Sequence, residues 1–122
     1  MKVMFFIVAL MSASQSFAAG TAKAPKSTPE LLAKGKQVFM INCMPCHGEK
    51  GEGNGPAAIA LNPKPRNYTK DGFKNGDKVE QIFGTITKGL PGTMMTAWTQ
   101  IPEADRWALA YFVKSFRPNT KK

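Results

Sequence analysis

Three stretches of this chain place apolar residues at helical spacing, and the stretches between them have no period. The first opens at Thr28-Pro29-Glu30, where a threonine can cap, a proline suits the first helical position and a glutamate meets the positive end of the helix dipole. Leu31, Gly35, Val38, Phe39 and Asn42 then recur every three to four residues and predict a helix that ends where Cys43 begins. Asp77 with Glu80 resembles a capping box ahead of a second stripe, Val79, Ile82, Phe83 and Ile86, which Gly89 stops. A third helix opens near Pro102, has Glu103 and Asp105 in its first turn, and is ended by Pro118. It carries two apolar faces, Trp107, Ala108, Tyr111 and Ser115 on one and Leu109, Phe112 and Phe116 on the other. One face is expected to meet the core and the other the first helix, where Gly35 would let two backbones approach closely.

The connecting segments are defined by glycine and proline. Gly48 to Pro56 holds four glycines in nine residues and cannot be a stable helix, so it is a tight loop. Ala57 to Leu61 has room for one helical turn. Asn62-Pro63-Lys64-Pro65-Arg66-Asn67-Tyr68 is extended, because each proline restricts the residue before it. Leu90 to Trp98 is a constrained loop. No segment alternates long enough for a strand, so the fold class is all-α.

Between the first helix and the glycine loop lies Cys43-Met44-Pro45-Cys46-His47, a CxxCH, the pattern of c-type haem attachment. Each thiol can add to one porphyrin vinyl group, and the histidine is then held under the iron as an axial ligand. A zinc site needs four ligands, usually in two spaced pairs, and there is one cluster here. A plain disulfide would leave the adjacent His47 without a reason. Arg66 and Tyr68 are candidates to hydrogen-bond a haem propionate.

Pure electron transfer requires a second axial ligand, and His47 is the sole histidine. Of seven methionines, Met1, Met4 and Met11 lie in the leader described next, and Met40 and Met44 sit too close to the CxxCH to reach the other haem face. Met94 and Met95 remain.

Lys2, the apolar run Val3 to Met11 and Ser16-Phe17-Ala18-Ala19 form a signal-peptide pattern, so residues 1–18 are expected to be cleaved. The run is about half the roughly 20 residues that cross a bilayer, so no permanent span is expected after cleavage. Residues 19–27 then form a flexible N-terminal segment, and 119–122 a short tail. Export agrees with thioether chemistry and points to the periplasm. The formal charge is +9, and losing Lys2 leaves 16 basic against 8 acidic residues. Such a surface would be steered toward acidic docking surfaces on redox partner proteins. The lysines are dispersed rather than clustered, which argues against nucleic acid.

These features together resemble a class I c-type cytochrome of the small bacterial periplasmic kind. The matching residues are Gly35 and Phe39 before the CxxCH, Gly48 through Pro56, Gly89-Leu90-Pro91-Gly92-Thr93, and Trp107 with Phe112. The resemblance implies a domain over 28–118 with three to four helices wrapped around one covalently attached haem c. It implies that Met95 is the second axial ligand, with Met94 and Thr96 departing from the usual alanine and proline on either side. It further implies that the Pro56 carbonyl holds His47 and that Trp98 packs by the haem edge. The function implied is a monomeric periplasmic electron carrier without bond chemistry of its own. The alternatives are a haem subunit of a larger oxidoreductase and a gas sensor or haem enzyme with a labile sixth ligand.

Overall fold

A computed structural model describes residues 23–117. The expected signal peptide and the C-terminal tail lie outside the described residues. Within them the chain is all-helical: α1 (Pro29–Asn42), α2 (Met44–His47), a 3₁₀ turn (Ala58–Ala60), α3 (Val79–Lys88) and α4 (Glu103–Ser115), with no strand among the described residues.

Helix α1 begins as its sequence requires. The Leu31 amide donates to Thr28 Oγ1 at 3.1 Å, and the apolar stripe buries Gly35, Val38 and Phe39. α1 packs on α4 at Gly35, where a β-carbon would overlap the Ala108 carbonyl oxygen and lie 2.8 Å from Phe112 Cβ. That contact brings Phe39, which is fully buried, against Phe112 and Phe116, with ring centroids 5.3 and 5.2 Å away. The other side of α4 meets α3, where Trp107 stacks face to face on Phe83 at 3.8 Å between centroids. One face of α4 therefore meets α1, as expected, and the other joins the core through α3, except that Ala108 from the Trp107 stripe belongs to the α1 contact.

One local expectation is corrected. The cap of α3 lies one residue later than Asp77: the Lys78 amide donates to Gln81 Oε1 at 3.0 Å, and Glu80 plays no part. The register follows burial, because this start puts Val79 into the core at the first helical position. In residues 23–27, the described part of the segment expected to be flexible, Tyr111 donates its hydroxyl to the Pro25 carbonyl at 2.6 Å and Ala24 packs on the core.

No helix among the described residues is long and apolar enough to cross a membrane. The helices leave a space between the end of α1, α2, α3 and the loops on either side of α3. That space holds the candidate site.

Candidate haem-binding site

The CxxCH is folded as a short helical turn directly after α1. The Cys46 and His47 amides donate to the Cys43 carbonyl at 3.2 and 2.9 Å, and Gly48 donates to Met44 at 2.8 Å. The glycine loop folds back on this turn: Gly53 donates to His47 O at 2.8 Å, Gly55 to Cys46 O at 3.1 Å and Ala57 to Pro45 O at 2.8 Å. A side chain at Gly55 would overlap the Met44 and Pro45 carbonyls, which is why the loop can lie this close only through glycine.

These contacts point both thiols and the imidazole into a cavity of about 590 Å³, within the usual range of a cofactor pocket. Cys43 and Cys46 are unpaired thiols. Burial pushes the Cys43 thiol up to about 12, with the nearby Cys46 adding to the shift, so it is neutral at physiological pH. Burial also lowers His47 below the ordinary histidine value, against the raising effect of a carbonyl partner, and favours the neutral imidazole that can donate a lone pair to a metal.

The carbonyl partner differs from the expected one. His47 Nδ1 lies 3.2 Å from the Arg66 carbonyl, while Pro56 is exposed and does not border the cavity. The extended segment reaches His47 because Tyr68 donates its amide to the Gly51 carbonyl at 2.7 Å, which lays residues 66–68 along the glycine loop. The Arg66 guanidinium donates to the Gly72 carbonyl and closes the next turn. Tyr68 is buried, stacks on the imidazole at 4.6 Å between centroids, and places its hydroxyl 3.1 Å from Nε2. Burial raises the Tyr68 hydroxyl above the ordinary phenol range, so it is a neutral donor. Ligation of iron through Nε2 would require this hydroxyl to turn away and would leave Nδ1 with its carbonyl.

From the other side the cavity is bordered by Ile82 and Ile86 of α3 and by Leu90, Thr93, Met94, Met95 and Trp98 of the loop that follows. The two methionines are placed differently. Met94 is 68% exposed, whereas Met95 is half-buried against the core. Both backbone polar groups of Met95 are engaged, its carbonyl by the Leu90 amide at 2.8 Å and its amide by Thr93 Oγ1 at 3.1 Å. Two thiols, an imidazole and a thioether around one largely apolar cavity are a donor set that fits haem c.

The structure thus brings Cys43, Cys46, His47, Arg66, Tyr68, Trp98, Met94 and Met95 to one cavity and leaves Pro56 outside. Phe73 and Val113 also border it, and neither carries a clear sequence signal. Phe73 lies in an aperiodic segment that gives no sequence signal. Val113 has a helical neighbourhood but lies on neither of the two stripes read from α4.

A family model described as cytochrome c matches residues 32–117. Over 75 residues the chain is 37% identical to the cbb3-type cytochrome c oxidase subunit FixP of Azorhizobium caulinodans, covering 62% of this chain and 23% of that one. Over 81 residues it is 35% identical to the cbb3-type cytochrome c oxidase subunit CcoP of Azospirillum brasilense, covering 66% and 26%. The chain therefore spans about a quarter of the length of these curated relatives. Among solved structures, a chain of the Kuenenia stuttgartiensis reducing HAO-like protein complex is similar, with a TM-score of 0.74 and 27% identity over 80% of this chain and 49% of that one.

Proposed function

The chain belongs to the cytochrome c family and carries covalently bound haem c for electron transfer, and from that premise we propose that Cys43 and Cys46 form the thioethers while His47 and Met95 are the two axial ligands. The observation that carries this reading is the convergence of those four side chains on one cavity. Met95 is preferred to Met94 because it is packed against the core and held at both its amide and its carbonyl, whereas Met94 is exposed. Bound there, the haem supplies an iron that cycles between Fe(III) and Fe(II), and methionine ligation favours the reduced form.

The chain's own residues set the conditions. His47 and Met95 would fill both axial positions, which leaves no place for a substrate, so the protein performs no bond chemistry itself. The Arg66 carbonyl fixes the imidazole ring and strengthens its donation, as a partner to the ligand's other nitrogen does. Ile82, Ile86, Leu90 and Trp98 line the cavity and would limit water at a haem bound there. Arg66 and Tyr68 also border the cavity and are the side chains proposed to hydrogen-bond a propionate, which would require the Tyr68 hydroxyl to leave His47 Nε2 and the Arg66 guanidinium to leave the Gly72 carbonyl.

We read the protein as a monomeric periplasmic carrier, supported by the signal-like N-terminus and by the 16 basic against 8 acidic residues that remain without Lys2, which would draw redox partners with acidic surfaces. A second reading, a haem subunit of a larger oxidoreductase, is supported by relatives whose names are those of oxidase subunits. Expression with c-type haem maturation and intact mass tests the shared part: one added haem, not extracted by acidic acetone, is expected, and its absence sinks the site. Purification from the native host separates the two readings. A monomer supports the carrier, and coelution with a catalytic subunit supports the complex.

A further inference from the structure

The loop that carries Met95 stands on one mount. It leaves α3 at Gly89, whose amide donates to Thr85 O at 2.8 Å, and returns where the Trp98 amide donates to Ile86 O at 3.0 Å. Entry and exit are thus both fixed to the last turn of α3, and whatever moves that turn moves Met95. Thr87 sits in this turn, and its Oγ1 accepts from Arg106 Nη1 of α4 at 2.8 Å. The same guanidinium lies over the Phe83 ring, 5.3 Å from its centroid, and Phe83 in turn stacks on Trp107. Arg106 Nε is buried and has no protein partner.

A half-buried cation with a donor left unpaired is a poor way to add stability to a helix pair, and an apolar residue would do better. What the arginine adds is direction. A planar cation seated on Phe83 and bonded to Thr87 sets how the end of α3 is rotated about the stacked rings, which ring stacking alone does not do. We propose that Arg106 is a positioning residue for the sixth haem ligand, acting through Thr87 to hold the end of α3 and with it Met95. Neither Arg106 nor Thr87 borders the haem cavity. Their effect is on the opening of the loop and not on the cofactor's surroundings. The proposal rests on the Met95 reading above.

The test uses the oxidised holoprotein and imidazole, which displaces a thioether only when the loop opens. Thr87→Val keeps the side-chain shape and removes the acceptor, while Thr87→Ser keeps the hydroxyl. A hydrogen bond to a charged group is worth enough that imidazole entry should speed up about tenfold in Thr87→Val and in Arg106→Ala. Thr87→Ser should enter at the wild-type rate. In all variants the far-red thioether-to-iron band should persist before imidazole is added, and the helix-unfolding midpoint of Thr87→Val should move less than the temperature at which the band is lost. Unchanged entry in folded Thr87→Val, with the band present in the wild type, overturns the proposal alone. A wild-type protein without the band defeats the Met95 reading and takes the proposal with it. If Arg106→Ala does not fold, Thr87→Val and Thr87→Ser decide.

Discussion

The two sides of the haem cavity are built in opposite ways. His47 sits in a turn continuous with α1, and the glycine loop is bonded back onto that turn at Pro45, Cys46 and His47. Its ring is held by a carbonyl from a third segment and stacked on a buried tyrosine. Met95 sits in a loop that hangs from the last turn of α3 and is braced mainly by itself, through Leu90 and Thr93. The histidine is therefore bonded to several segments of the fold, whereas the methionine's loop is hydrogen-bonded to one helix end and to itself, with Met95 and Trp98 packed on the core. The difference teaches that the methionine side should yield first under heat, denaturant or a competing ligand, while the histidine side should fail only with the protein.

Substitutions on the histidine side should then cost global stability. The largest effect is expected for Phe39→Ala, which removes the fully buried ring that α1 sets between Phe112 and Phe116. A loss of about 3–5 kcal/mol in denaturant unfolding is expected, with helix signal and iron spectrum lost together. Separate transitions would show that α1 and the attachment turn are not one unit. Gly55→Ala should come next, at about 1–3 kcal/mol, because a β-carbon there has no room against the Met44 and Pro45 carbonyls. A neutral result in thermal melts would mean the loop is free to move off the turn.

On the methionine side the effects should be smaller and local. Thr93→Val removes the hydroxyl that accepts from the Met95 amide and donates to the Leu90 carbonyl. About 1 kcal/mol is expected, seen as earlier loss of the far-red band with little change in helix unfolding. Equal shifts in both signals would erase the contrast between the two sides. The smallest effect concerns neither side alone: the second-order rate with a redox partner should fall as salt rises, because the excess of 16 basic over 8 acidic residues left after loss of Lys2 is screened within about 8 Å at physiological ionic strength. A flat salt series would make the charge a matter of solubility only.

The histidine side was the more legible in sequence, for the same physical reason that it is the more rigid. Its signals are local: a cap at Thr28, a stripe through Phe39, the CxxCH, and a glycine loop that has to be tight. The close approach at Gly35 could also be read, since a small residue on a helix face asks for a neighbouring backbone. What could not be read were meetings between distant segments. Tyr68 finds His47 across 21 residues from a stretch without period, and the carbonyl at Nδ1 comes from Arg66 rather than Pro56 because that same stretch lies along the glycine loop. α3 starts one residue later than its capping chemistry at Asp77 suggests, because burial of Val79 sets the register. For the two methionines the family resemblance pointed to Met95, and the structure adds a difference between them in burial and backbone bonding.

The account rests most heavily on Met95 as the ligand that completes the iron's coordination, and one paired measurement reaches it directly. The far-red thioether-to-iron absorption of the oxidised protein should vanish in Met95→Ala, with the reduced protein now binding carbon monoxide, and should survive in Met94→Ala, whose exposed side chain should cost no more than about 0.5 kcal/mol of stability. Survival of the band in Met95→Ala with its loss in Met94→Ala would contradict the account.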